Sequence, residues 1–168
     1  IDHLKLALEI SPSNEQLHAR LGKAMIAVHD LDEGLDHLLT AVRTNPNKAD
    51  VWTDIAEAHE TAGDLEEALI AVQKAAEIDP FCSTPLLLAA RIHLTKGDSQ
   101  LAMVSAQKAI EVKPDMAEGY LFLSQLHLTE GDQLAALQAL EKASNCQNAT
   151  LPSMVRHAKL LREIKGVE

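Results

Sequence analysis

The sequence repeats itself every 34 residues, and that period constrains the fold more than any other feature. Proline stands at 12, 46, 80 and 114, and alanine at 7, 41, 75, 109 and 143. A Gly-Asp step at 63-64 recurs at 97-98 and 131-132, with His29-Asp30 one period earlier. Such a period marks an array of one supersecondary unit, each copy unable to bury its apolar face alone. The best copy, from Lys48 to Pro80, reads as a helix over 49–61, a break at Gly63-Asp64, a second helix over 65–78 and a stop at Pro80. Proline ends a helix because it lacks an N–H and restricts the residue before it. The chain is therefore expected to be all-α, a run of antiparallel helical hairpins. Only 2% of residues are aromatic while alanine and leucine abound, which suits helices in close contact.

The period sets the expected boundaries within a single array of 168 residues. Residues 1–14 match the second helix of an incomplete repeat, because Leu4, Ala7 and Ile10 fall two periods before Val72, Ala75 and Ile78. An upstream repeat is expected to cover an apolar face of this helix. Four full repeats follow at 15–48, 49–82, 83–116 and 117–150, and residues 151–168 read as a C-terminal capping helix with a basic face. In the first two repeats Asp30 and Asp64 are placed to cap the second helix, with Glu33 and Glu67 reaching back.

Composition narrows the function classes. A formal net charge of −10 opposes binding to a phosphate backbone, so nucleic acid is excluded as a partner. No apolar stretch of ~20 residues, polybasic run or signal-peptide pattern occurs, so no membrane insertion is expected and a cytoplasmic location is assumed. Cys82 and Cys146 form no C-x-x-C pair and read as ordinary reduced thiols.

The second unit carries Trp52, Ile55, Ala56, Ala68, Ala75 and Pro80 at the places where the tetratricopeptide repeat consensus has tryptophan, leucine, glycine, alanine, alanine and proline. The chain thus resembles the tetratricopeptide repeat (TPR) family over its whole length. Departures are Met25, His59, His93 and His127 at the tyrosine place, and Leu38, Val72, Ala106 and Leu140 at the late aromatic place. The resemblance implies a right-handed α-solenoid, a TPR superhelix, whose concave groove is lined by first helices and binds a peptide or another protein.

Helical periodicity points to the same face. Residues 52, 55, 56 and 59 share the side turned toward the second helix, leaving 50, 53, 54, 57, 60 and 61 opposite. In the second repeat that face is acidic, with Asp54, Glu57 and Glu60. In the third and fourth it is apolar. The segments PLLLAARIHL and GYLFLSQLHL are apolar nearly all round, more than two packed neighbours require. The expected partner-binding set is therefore Asp54, Glu57, Glu60, Leu87, Leu88, Arg91, Leu94, Leu121, Phe122, Gln125, Leu128 and Lys159. Arg91 and Lys159 would take an acidic group, the Asp54-Glu57-Glu60 face a basic one, and the leucines an apolar segment. The carboxylate clamp of some family members is not expected, because the corresponding positions hold Ala19, Lys23, Glu57, Leu87 and Arg91, and Glu57 repels a carboxylate.

Nothing in the sequence calls for catalysis, a metal or a cofactor. His59, His93 and His127 recur at one repeat position and project in parallel, whereas zinc needs ligands converging to about 2 Å. They are expected to fill the tyrosine place and hydrogen-bond locally. Ser105-Ala-Gln-Lys108 is a chance S-x-x-K string without companion motifs, and Asn148-Ala-Thr150 is a glycosylation sequon relevant only to a secreted chain. The expected function is a non-enzymatic scaffold or adaptor module that holds a partner protein or peptide in its groove, as part of a larger protein. The alternatives are a structural segment that extends a longer solenoid or self-associates through the unmatched N-terminal helix, and a substrate-recruiting domain of a larger enzyme.

Overall fold

A computed structural model describes residues 1–147 together with Val155, Lys159 and Arg162. The described residues form helices α1 (Asp2–Ile10), α2 (Glu15–Ala27), α3 (Leu31–Thr44), α4 (Ala49–Ala62), α5 (Leu65–Ile78), α6 (Ser83–Thr95), α7 (Ser99–Val112), α8 (Ala117–Thr129) and α9 (Gln133–Asn145), with no strand among them. The expected hairpins are all present: α2 with α3, α4 with α5, α6 with α7 and α8 with α9. Two compact units divide at Pro80, one over Ile1–Pro80 and one over Phe81–Glu168. Of the expected capping helix at 151–168, Val155, Lys159 and Arg162 are helical and exposed, and the remainder lies outside the described residues.

The alanine column that set the period is core from Ala41 onward, while Ala7 of α1 is half-buried. Ala41, Ala75, Ala109 and Ala143 are each at most 1% exposed. Each hairpin closes through a second pair of small columns: Gly22, Ala56, Ala90 and Ser124 on the first helices, and Gly34, Ala68, Ala102 and Ala136 on the second, all buried. Small side chains let two helix backbones approach, and the large apolar residues Leu21, Leu38, Ile55, Ile92 and Leu126 fill the space beside them. In the first hairpin both small positions are glycine, and the contact becomes backbone against backbone.

The hairpin turns share one geometry. Gly63, Gly97 and Gly131 take φ of 89°, 87° and 81°, and His29 takes the same left-handed conformation at 67°. The next amide closes back on the helix, from Asp30 to the Met25 carbonyl at 3.0 Å and from Asp64, Asp98 and Asp132 to His59, His93 and His127 at 2.9 Å, the Schellman bond that ends a helix. A side chain with a Cβ is strained in this conformation, and His29 is exposed. His29→Gly is therefore expected to raise the unfolding free energy by about 0.5–1 kcal/mol. Urea unfolding checks this, and an unchanged or lower midpoint would contradict it.

Capping is less regular than the Asp column suggests. Asp30 accepts from the Glu33 amide at 3.3 Å and Asp132 from the Ala135 amide at 2.9 Å. Asp64 and Asp98 make no side-chain cap. The Asp64 carboxylate instead turns toward His59, 3.5 Å from its Nδ1. A cap that the Asp column does not reveal is Asn14, whose Oδ1 accepts from Gln16 and Leu17 at the start of α2.

Candidate functional site

The face of the first helices is built differently in the two units. In the 1–80 unit, α2 and α4 bound an open crevice of about 340 Å³ lined by Gln16, Arg20, Lys23, Lys48, Asp50 and Asp54, among others. Lys23 Nζ reaches Asp54 Oδ1 at 2.8 Å. The Asp54 side chain is 14% exposed and that of Lys23 60%, so the pair runs from the floor of the crevice to its rim. Burial pushes the Asp54 carboxyl above the usual carboxylate range, more than the Lys23 hydrogen bond lowers it. The same hydrogen bond holds the Lys23 ammonium above its ordinary value. A desolvated carboxylate with a cation already bound is a structural anchor more than an open acceptor. Of the expected acidic face, Glu57 is exposed, Glu60 is half-buried, and Thr53 is buried with its hydroxyl donating to the Ala49 carbonyl at 2.8 Å.

In the 81–168 unit the expected apolar face is partly consumed by the core. Leu88 is 3% exposed and does not meet solvent. Its position recurs 34 residues away as Asp54 and Phe122, both half-buried, so this helix position is partly or wholly covered by packed neighbours. Leu94 and Phe122 pack on the cluster that includes Ala90, Ala106, Ile110 and Leu126. Leu121 packs against Ala117, Ala143 and Cys146 on one side and Ala136 and Leu140 on the other. Leu87 is half-buried, while Arg91 and Gln125 are exposed, and Leu128 stands 44% exposed. Lys159 is exposed.

A surface that the repeat pattern did not single out lies on α7. Leu101 and Val104 are each 50% exposed, and beside them Met103, Val104, Gln107, Leu123 and His127 line a crevice of about 510 Å³. The signal was the LAMV run at 101–104, which places two apolar residues on the side of α7 away from its alanine column.

His59 and His93 fill the tyrosine place without the expected local hydrogen bond at Nδ1. Nδ1 of His59 and of His93 is buried and has no hydrogen-bond partner among the described residues. The Asp64 carboxylate stays 3.5 Å from His59, too long for a good bond. No group of three or more histidine, cysteine or acidic side chains among the described residues is arranged to hold a metal ion. Cys82 and Cys146 are free thiols, and burial pushes the Cys146 thiol up, with Asp115 adding to it. No helix among the described residues is long and apolar enough to cross a membrane.

Hairpins repeating at 34 residues and closed through paired small-residue columns define a helical-repeat protein. The family model for the tetratricopeptide repeat matches residues 19–81 and 87–149. The chain belongs to the tetratricopeptide repeat family. Similar solved structures include TTC0263, a thermophilic TPR protein in Thermus thermophilus, at 22% identity over 94% of this chain and 87% of that one, with a TM-score of 0.77. PilF of Pseudomonas aeruginosa matches at 18% identity over 96% of this chain and 74% of its own, with a TM-score of 0.82. YrrB, described as a TPR protein with an unusual peptide-binding site, matches at 13% identity over 98% and 85%, with a TM-score of 0.69. No curated protein matches in sequence. Proteins of this family generally mediate protein–protein interaction and are generally non-enzymatic scaffolds.

Proposed function

We propose that this chain is an interaction module that holds a segment of another protein on the faces formed by its first helices. The observation that carries the reading is the crevice between α2 and α4, about 340 Å³, where Arg20, Lys23 and Lys48 stand beside Asp50 and Asp54. Its side chains can take charges of both signs, and the pairing of Lys23 with Asp54 leaves Arg20 and Asp50 at the rim for a partner. In the other unit, Leu128 with the half-buried Leu87, Leu94 and Leu121 offers an apolar counterpart flanked by Arg91 and Gln125. YrrB, alike in fold, is described by its peptide-binding site.

The test uses peptides selected from a random displayed library on the wild-type chain. They are then titrated against Arg20→Glu and Leu128→Asp, both surface changes. Loss of affinity of about tenfold or more in at least one variant is the expected result. Peptides that bind both variants as tightly as wild type would sink the reading.

A second reading, assembly through α1, is favoured by one observation. No residue of α1 is buried, and Ile1, Leu6 and Ile10 are 42%, 56% and 85% exposed. Light scattering across concentration separates it, because a chain that stays monomeric while binding selected peptides excludes it.

A further inference from the structure

His18 on α2 and His37 on α3 meet through their Nδ1 atoms at 2.9 Å, with ring centroids 5.1 Å apart. The other nitrogen of His18, Nε2, lies 2.9 Å from the carbonyl oxygen of Pro12 in the α1–α2 connection. One period on, Trp52 Nε1 donates to the carbonyl of Pro46 at 2.9 Å. An indole N–H can only donate and a carbonyl can only accept, so His18 does the work of the tryptophan and carries its proton on Nε2. Its Nδ1 is then a bare acceptor, and His37 must supply the proton between the rings from its own Nδ1. His37 Nε2, left bare, lies 3.9 Å from Glu33 Oε1, which also holds Lys5 Nζ of α1 at 3.0 Å. The result is one directional chain, from His37 Nδ1–H to His18 Nδ1 and from His18 Nε2–H to the Pro12 carbonyl, with the bare His37 Nε2 facing the Glu33–Lys5 pair without a hydrogen bond. The corresponding pair in the next repeat is Trp52 and Ala71, neither of which titrates.

We propose that this imidazole pair is an acid-sensitive clasp that ties α1 and its connection to the first hairpin at neutral pH and opens when both rings are protonated. One added proton is accommodated on His37 Nε2, facing Glu33, with every bond of the chain kept. A second proton has only His18 Nδ1 to occupy, where it meets the N–H of His37 head on, and the inter-ring bond breaks. The charged groups facing His37 are His18 from α2, Lys5 from α1, and Glu33 and Asp36 on its own helix. Burial, then His18 and Lys5, lower the basicity of His37, and Glu33 and Asp36 oppose this only in part. The unfolded segment therefore binds more protons than the folded one, so its stability is full above the ordinary imidazole range near 6.5 and falls as pH drops below it. Helix α1 itself buries no residue fully, with Leu4, Ala7 and Leu8 half-buried.

The experiment transplants the neighbouring repeat's pair, His18→Trp with His37→Ala, and compares it with wild type and with His37→Gln. At about pH 7.5, two-bond proton–nitrogen spectra should show His18 as the Nε2–H tautomer and His37 as the Nδ1–H tautomer. Between about pH 7.5 and 5, exchange protection of the Lys5 to Leu8 amides, normalised for intrinsic rates, should fall roughly tenfold in wild type and less than about twofold in both variants. His37 in the Nε2–H form at neutral pH overturns the proposal. So does an equal acid loss in His37→Gln, which keeps the rest of the hairpin intact if the transplant fails to fold.

Discussion

Replacing Gly22 with valine is expected to abolish cooperative folding of the 1–80 unit. A Cβ on Gly22 stands 2.7 Å from the Gly34 carbonyl oxygen and 2.8 Å from Leu38 Cγ, and a Cβ on Gly34 stands 2.6 Å from Ile26 Cγ1 and 3.0 Å from the Gly22 carbonyl. A flexible side-chain end could swing aside, but a backbone carbonyl bonded within a helix cannot. Helices α2 and α3 must part instead, opening the contact that buries Leu21 and Leu38, which are 1% and 0% exposed. Overpacking of this kind costs about 3 kcal/mol, a large share of the stability of a small unit. Gly22→Ala should lose less but with the same sign, although alanine favours a helix over glycine by about 1 kcal/mol. Urea unfolding followed by circular dichroism measures both, and a Gly22→Ala chain as stable as wild type would show that the helices are free to separate.

The second large effect distinguishes two leucines that look alike in sequence. Leu88→Asp is expected to unfold the 81–168 unit, because shortening a buried leucine costs about 2–5 kcal/mol and the new carboxylate adds the cost of leaving water without a partner. Leu128→Asp, at a position 44% exposed, should shift stability by only about 0.5 kcal/mol. Thermal melts of the two variants side by side provide the check. Similar melting temperatures would mean that Leu88 is not core. The contrast also makes Leu128, rather than Leu94, the residue to alter when probing binding, since Leu94 packs on the core cluster.

The hairpins and their turns were legible because they rest on local rules that repeat. Proline stops, the Gly-Asp breaks and the alanine column each act within one repeat, and the structure returns α4 and α5 within one residue of their expected ends. The candidate face of the first helices was less legible because it depends on how neighbouring helices cover one another. Periodicity placed Leu88 on the open face along with Leu87 and Leu94, yet the small columns draw the helices close enough to enclose it. Asp54 shows the same limit. Its place on the acidic face follows from helical spacing, but its engagement by Lys23 needs the distance between α2 and α4, which no single helix contains. Gly22 and Gly34 head the columns that continue as Ala56 and Ala68, so the glycine pair is visible when the repeats are aligned.

In the 1–80 unit every packed pair of helices is adjacent in sequence or one helix apart. Contacts so short in range close only small loops, a topology that folds in about microseconds to milliseconds. A ribosome adding about 5–20 residues per second takes seconds to deliver each repeat. Within that unit the first hairpin can therefore complete its packing before the second emerges, so the order of synthesis becomes the order of assembly.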